Sequence, residues 1–248
     1  MRPKRASAAL LTAIFAMLSA GQTNGATIVL DAIQDTWISP TNTSAFRTTP
    51  RNGELLDVIS GSNSTGASTT NSKRYGVVEF DLSGITDTII GATLQLYMLD
   101  GTASAQNTGL LVATARLIPL TAHIDEATLT FDIYATRADM GAVDLALTSL
   151  GTFNFSGTGA VTTGVYTQGT AGSASDAAMV ETQRNSTSKL VGFVLSSAST
   201  SVGTWHQWSD REHNFAPQLI LETVPEPSTA AFLILASAVA GVVRKRRN

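Results

Sequence analysis

Four aromatic side chains, Trp37, Tyr97, Trp205 and Trp208, have the types needed for a sugar-binding surface. A sugar offers CH faces as well as hydroxyls, so a polysaccharide site needs an exposed ring beside polar side chains. Trp205 and Trp208 lie three apart and face opposite sides of a strand, so only one of them can be a platform. Core packing competes as a reading for all four, because large aromatic residues bury readily. A second group, His206, Asp210 and His213, falls in one strand-loop segment and has the types for proton transfer or metal binding. No His-x-x-x-His helix or Gly-x-Ser-x-Gly elbow accompanies it, which makes a polysaccharide-cleaving enzyme the weakest functional reading. A third group, Asp31, Asp35 and Glu222, belongs to the first and last strands, where three carboxylates could share a structural Ca²⁺. Ordinary surface charge explains these three equally well, and no other cofactor is indicated.

The elements that must position these groups are strands. The chain between its two ends is rich in Thr, Ser, Gly and Ala, with short β-type runs separated by turn-forming clusters. In Arg74 to Leu82, Val78, Phe80 and Leu82 alternate with Val77, Glu79 and Asp81, which predicts even positions inward and carboxylates outward. Ile89 to Leu99 repeats the pattern, with Leu94, Leu96 and Met98 on one face and Thr93, Gln95 and Tyr97 on the other. Further strands are expected at 27–31, 35–38, 54–60, 110–120, 127–134, 161–166, 202–208 and 218–223, with a pair around Ser149-Leu150-Gly151. Lys189 to Ser196 is strongly apolar and suits a central strand. Asp176 is positioned to cap one short helix, Ala177 to Asn185, with Ala178, Met179 and Thr182 on one side. About ten strands, one short helix and no βαβ rhythm predict an all-β, antiparallel jelly-roll-like β-sandwich.

The ends read as routing segments. Residues 1–25 have a basic start (Arg2, Lys4, Arg5), an apolar stretch from Ala8 to Leu18 and a small-residue site before Ala26, the pattern of a signal peptide. At the other end, Pro225-Glu226-Pro227 stops regular structure, since proline lacks the amide donor. An uncharged stretch at 229–243 follows, and Arg244, Lys245, Arg246 and Arg247 close it. As a helix it spans roughly 22 Å against roughly 30 Å of hydrocarbon, a marginal transmembrane helix with its basic end cytoplasmic. One domain, 26–223, remains between the ends. Over residues 26–224 there are nine Lys/Arg against eighteen Asp/Glu, a net charge of −9, which opposes nucleic acid binding. With no cysteine, packing alone must hold the domain together.

Val224-Pro225-Glu226-Pro227-Ser228-Thr229, with the apolar segment and basic cluster, resembles the PEP-CTERM sorting signal of exported bacterial proteins. That resemblance implies recognition by an exosortase-type processing enzyme and a destination in the cell envelope or outside it, with at least transient anchoring in the membrane. The domain has its own likeness. Asp35-Thr36-Trp37-Ile38, Arg74 to Leu82 and Ile90 to Tyr97 resemble the opening of DNRLRE-type domains, jelly-roll modules similar to carbohydrate-binding modules. Asp125 to Phe131, Lys189 to Leu195, Trp208 to Glu212 and Pro217 to Leu221 follow in the same order, with Phe131 in place of the family's tryptophan. The chain is therefore expected to be an exported, non-enzymatic surface or extracellular-matrix protein, the alternative being a carbohydrate-binding module for extracellular polysaccharide.

Overall fold

The computed structural model describes residues 25–40, 48–51, 55–59, 74–98, 110–140, 151–160, 164–167, 174–197 and 205–226. The chain divides into two compact units, one of residues 27–85 and 89–222, the other of 1–26, 86–88 and 223–248. In the smaller unit, Thr223 Oγ1 donates to the Ala26 carbonyl at 3.3 Å. The predicted signal peptide, apart from Gly25, and the predicted helix at 229–243 lie outside the described residues. Among the described residues no helix is long and apolar enough to cross a membrane.

The larger unit is built on a β-sandwich of two antiparallel sheets. The first has the strand order β1 (Ala26–Asp31), β11 (Gln218–Val224), β5 (Thr88–Met98), β10 (Trp205–Trp208), β3 (Leu56–Ile59), with β8 (Gly164–Thr167) also paired to β5. The second has the order β2 (Gln34–Ile38), β4 (Tyr75–Asp81), β9 (Leu190–Ser197), β6 (Leu110–Ile118), β7 (Gly151–Ala160). The apolar run expected at 189–196 is the middle strand of this sheet. The interior between the sheets takes alternate residues from each: Leu94, Leu96, Leu219 and Leu221 from the first, Val78, Phe80, Val191 and Phe193 from the second. Val78 pairs with Phe193 and Phe80 with Val191 across β4 and β9, and the rings of Phe80 and Phe193 meet edge to face at 5.9 Å. Burying each such side chain contributes about 1.5–3 kcal/mol.

The opposite side of the second sheet is not solvent-facing. Val77, Ile38, Ile118, Leu190 and Val194 pack there against Leu120, Ile124, Leu129, Phe131, Tyr134 and Met140. The segment 120–140 thus covers this face, and Glu79, expected outward, is fully buried beneath it. His123 Nδ1 and the Ile124 amide each lie 2.5 Å from one of its carboxylate oxygens. Burial pushes this carboxyl up, an effect the Ile124 amide and His123 partly offset. Gly192 stands opposite Glu79 on β9, where an added Cβ would come 2.8 Å from Ile118 and Leu120 side-chain atoms. Only the missing side chain lets the cover approach the backbone so closely.

Two further expectations are corrected. The strand predicted at 127–134 is a turn followed by helix α1 (Phe131–Thr136). Thr130 caps it by accepting from the Ile133 amide at 3.3 Å, and Asp132 places negative charge in its first turn. The second helix, α2 (Ala174–Arg184), starts before Asp176, so Asp176 lies within it. It buries Ala177, Val180 and Gln183, while Ala178 and Thr182 are exposed and Met179 is half-buried. Residues 161–163 of the strand expected at 161–166, 202–204 of the strand expected at 202–208, and 149–150 of the pair expected around Ser149-Leu150-Gly151 fall outside the described residues.

Candidate functional site

The outer side of the first sheet is open. Because Leu94, Leu96 and Met98 of β5 and Leu219 and Leu221 of β11 point inward, Gln95, Tyr97 and Gln218 take the outward positions. Asp31, exposed at the end of β1, joins them. Gln95 Nε2 donates to Gln218 Oε1 at 3.2 Å, and Gln218 Nε2 donates to Asp31 Oδ1 at 2.9 Å. A row of hydrogen-bonded polar side chains therefore crosses three adjacent strands. Beside it Phe215 lies flat on Tyr97, with ring centroids 4.0 Å apart and planes 14° from parallel. These residues line a cleft of about 360 Å³, whose rim is Arg211, His213 and Asn214. That volume lies at the small end of the ligand-site range of about 300–1,000 Å³.

Phe215 reaches Tyr97 because the connection between β10 and β11 is fastened at several points. The Ser209 amide donates to the Tyr97 carbonyl (2.8 Å), and the Ala32 amide donates to the Pro217 carbonyl (2.9 Å). Between them the Arg211 amide donates to Asp35 Oδ2 (2.7 Å), while the Arg211 guanidinium forks onto both oxygens of buried Glu126. Glu126 also accepts from the Asp35 amide at 3.1 Å. His213 donates its backbone amide to Asp210 Oδ1 (3.1 Å) and places Nδ1 against the same oxygen. Asp35 Oδ1 and Asp210 Oδ2 are buried without a hydrogen-bond partner among the described residues. Burial pushes the Asp35 carboxyl up to about 8; the Arg211 amide opposes the shift, and the charges of Asp210, Glu212 and Glu126 add to it. The arrangement clamps the loop by the ion pair of Arg211 with Glu126.

Of the aromatic residues expected to act as platforms, Trp37 and Trp208 do not share this surface. Trp37 is 2 % exposed on the inward side of β2, with the Arg74 and Arg51 guanidinium carbons 4.4 Å and 5.0 Å from its ring centroid. Trp208 is fully buried in the interior cluster. The Trp205 side chain lies outside the described residues. Among the described side chains of the four, Tyr97 is the one found at the cleft. His206 is buried edge-on to Trp208, with ring centroids 6.5 Å apart. Asp35 is engaged in the Arg211 network, Asp31 in the polar row, and Glu222 is exposed further along β11. Among the described residues no three His, Asp or Glu are arranged to hold a metal ion.

Phe215, Gln95 and Gln218 were not among the expected site residues. The alternation of β5 does put Gln95 beside Tyr97, and an aromatic residue in the polar stretch 209–217 was the available signal for Phe215.

Past the sandwich, β11 runs out at Val224, and Pro225 and Glu226 stand exposed. Pro227 and the basic residues Arg244, Lys245, Arg246 and Arg247 lie outside the described residues. Comparison with family models matches this stretch, over residues 223–247, to the PEP-CTERM protein-sorting motif. The chain carries a PEP-CTERM sorting signal. A PEP-CTERM motif implies export, sorting to the envelope and processing by an exosortase. Comparison of the chain with curated proteins gives no match.

Proposed function

We propose that this is a non-enzymatic protein of the cell surface or extracellular matrix, exported and then delivered through its PEP-CTERM tail. The carrying observation is the sorting motif at residues 223–247, which begins in the last two residues of β11. In this reading 229–243 is a short transmembrane helix that holds the chain while the exosortase acts, and 1–25 is the signal peptide. The sandwich is read as a DNRLRE-like jelly roll displayed beyond the membrane. Removing residues 224–248 in the native cell tests this: the truncated protein should leave the envelope fraction and lose its processing step. Unchanged location and processed size would overturn it.

A second reading, a module that binds extracellular polysaccharide, is favoured by one observation, the open cleft that sets an aromatic pair beside a polar row. Retention of the exported protein by an immobilised polysaccharide tests it, and absence of retention across a broad glycan panel counts against it.

A further inference from the structure

The two rings at the cleft have different roles. Phe215 covers one face of Tyr97 and itself remains 51 % exposed, so the ring turned to solvent is Phe215 and Tyr97 is its support. An aromatic ring half in water forgoes the stabilisation that burial would bring. The flanking row has hydrogen-bonding capacity left over: Gln95 and Gln218 each use one amide hydrogen in it, and Asp31 one oxygen. A ring with free donors and acceptors at its edge suits a sugar, whose CH face stacks while its equatorial hydroxyls reach outward.

Charge narrows the class. The Arg211 guanidinium at the rim is committed to Glu126 and Glu212, and His213 is committed to Asp210. Residues 26–224 carry nine Lys/Arg against eighteen Asp/Glu, so the field repels polyanionic chains. The loop is already fastened at Ser209, Arg211 and Pro217, so binding would order little new structure.

We propose that the cleft binds one unit of a neutral polysaccharide, its apolar face on Phe215 and its hydroxyls on Gln95, Gln218 and Asp31. This rests on the polysaccharide-binding reading and adds the site and the sugar class. The test uses the protein isolated from its native envelope, in affinity electrophoresis through gels containing xylan, laminarin, galactomannan, dextran or the anionic polygalacturonate. At least one neutral polymer should retard it, with retardation unchanged by added salt. Phe215→Ala should lose about tenfold or more in affinity, Gln218→Ala should lose less, and Phe215→Trp should retain binding, which separates a lost platform from a lost fold. Wild-type affinity in a folded Phe215→Ala variant would overturn this site while leaving polysaccharide binding elsewhere. Salt-sensitive binding to polygalacturonate alone would overturn the neutral-sugar assignment. No retardation by any polymer would overturn the site together with the reading it rests on.

Discussion

The outer faces of the two sheets have opposite fates. On the second sheet, Val77, Glu79, Ile118 and Val194 lie under the segment 120–140, sealed by Phe131 and Tyr134. On the first sheet, Gln95, Tyr97 and Gln218 stay half-exposed, and Gln95 hydrogen-bonds Gln218 across the strands. Both faces come from strands of period two, and the difference is made by what a distant segment does. A covered face serves stability; an open, polar-aromatic face costs little to vary and is free to meet a ligand. Glu126 connects them, since it belongs to the covering segment yet clamps Arg211 at the rim of the cleft.

Substitutions should therefore separate the faces by the size of their effect on unfolding. Tyr134→Ala, which removes a fully buried ring and its hydroxyl bond to the Met140 carbonyl, should cost about 3–5 kcal/mol, read as a lower urea midpoint. Arg211→Ala leaves Glu126 buried without its partner and frees the loop under Phe215. Its cost should be about 2–3 kcal/mol, below that of a fully buried pair because Arg211 is partly solvated. Gly192→Ala pushes a methyl group into Ile118 and Leu120 and should cost about 1–3 kcal/mol. If Tyr134→Ala cost no more than an open-face change, the distinction between the faces would collapse.

The pH dependence sharpens the same contrast at the clamp. Asp35 has a folded-state pKa raised to about 8, so the folded chain holds its proton where the unfolded chain releases it above about pH 4. Its contribution is fully present below about pH 4 and is lost as pH rises toward 8. Asp35→Asn keeps an acceptor for the Arg211 amide and should flatten this fall, read as melting temperature across that pH range. Smallest of all, Gln95→Ala and Gln218→Ala on the open face should shift stability by less than about 1 kcal/mol.

Much of the sandwich was legible from alternation alone. Val78, Phe80 and Leu82, and Leu94, Leu96 and Met98, announce the interior because period two is a local signal. What covers the other side of a strand is not local. Val77 and Glu79 look outward in sequence, and Glu79 is covered by His123 and Ile124, more than forty positions away. Helix α1 spans six residues, too few to show a helical period, and its Phe, Ile and Tyr also suit a strand. Which side of α2 is buried was not legible, because Ala178 and Ala177 are chemically alike and packing, rather than residue type, selects between them. At the site, Tyr97 could be found from its strand, but Phe215 is brought to it by Arg211, Asp35 and Glu126, which are separated by 85 to 176 positions. The sorting tail was legible because its recognition lies in contiguous sequence.

Hydroxyl-radical labelling of the exported protein, read residue by residue, compares the two faces directly. Phe215 should be labelled rapidly in the native state, while Tyr134 on the covered face should be labelled only after unfolding. Labelling of Tyr134 at the rate of Phe215 would contradict the covered-face and open-face architecture.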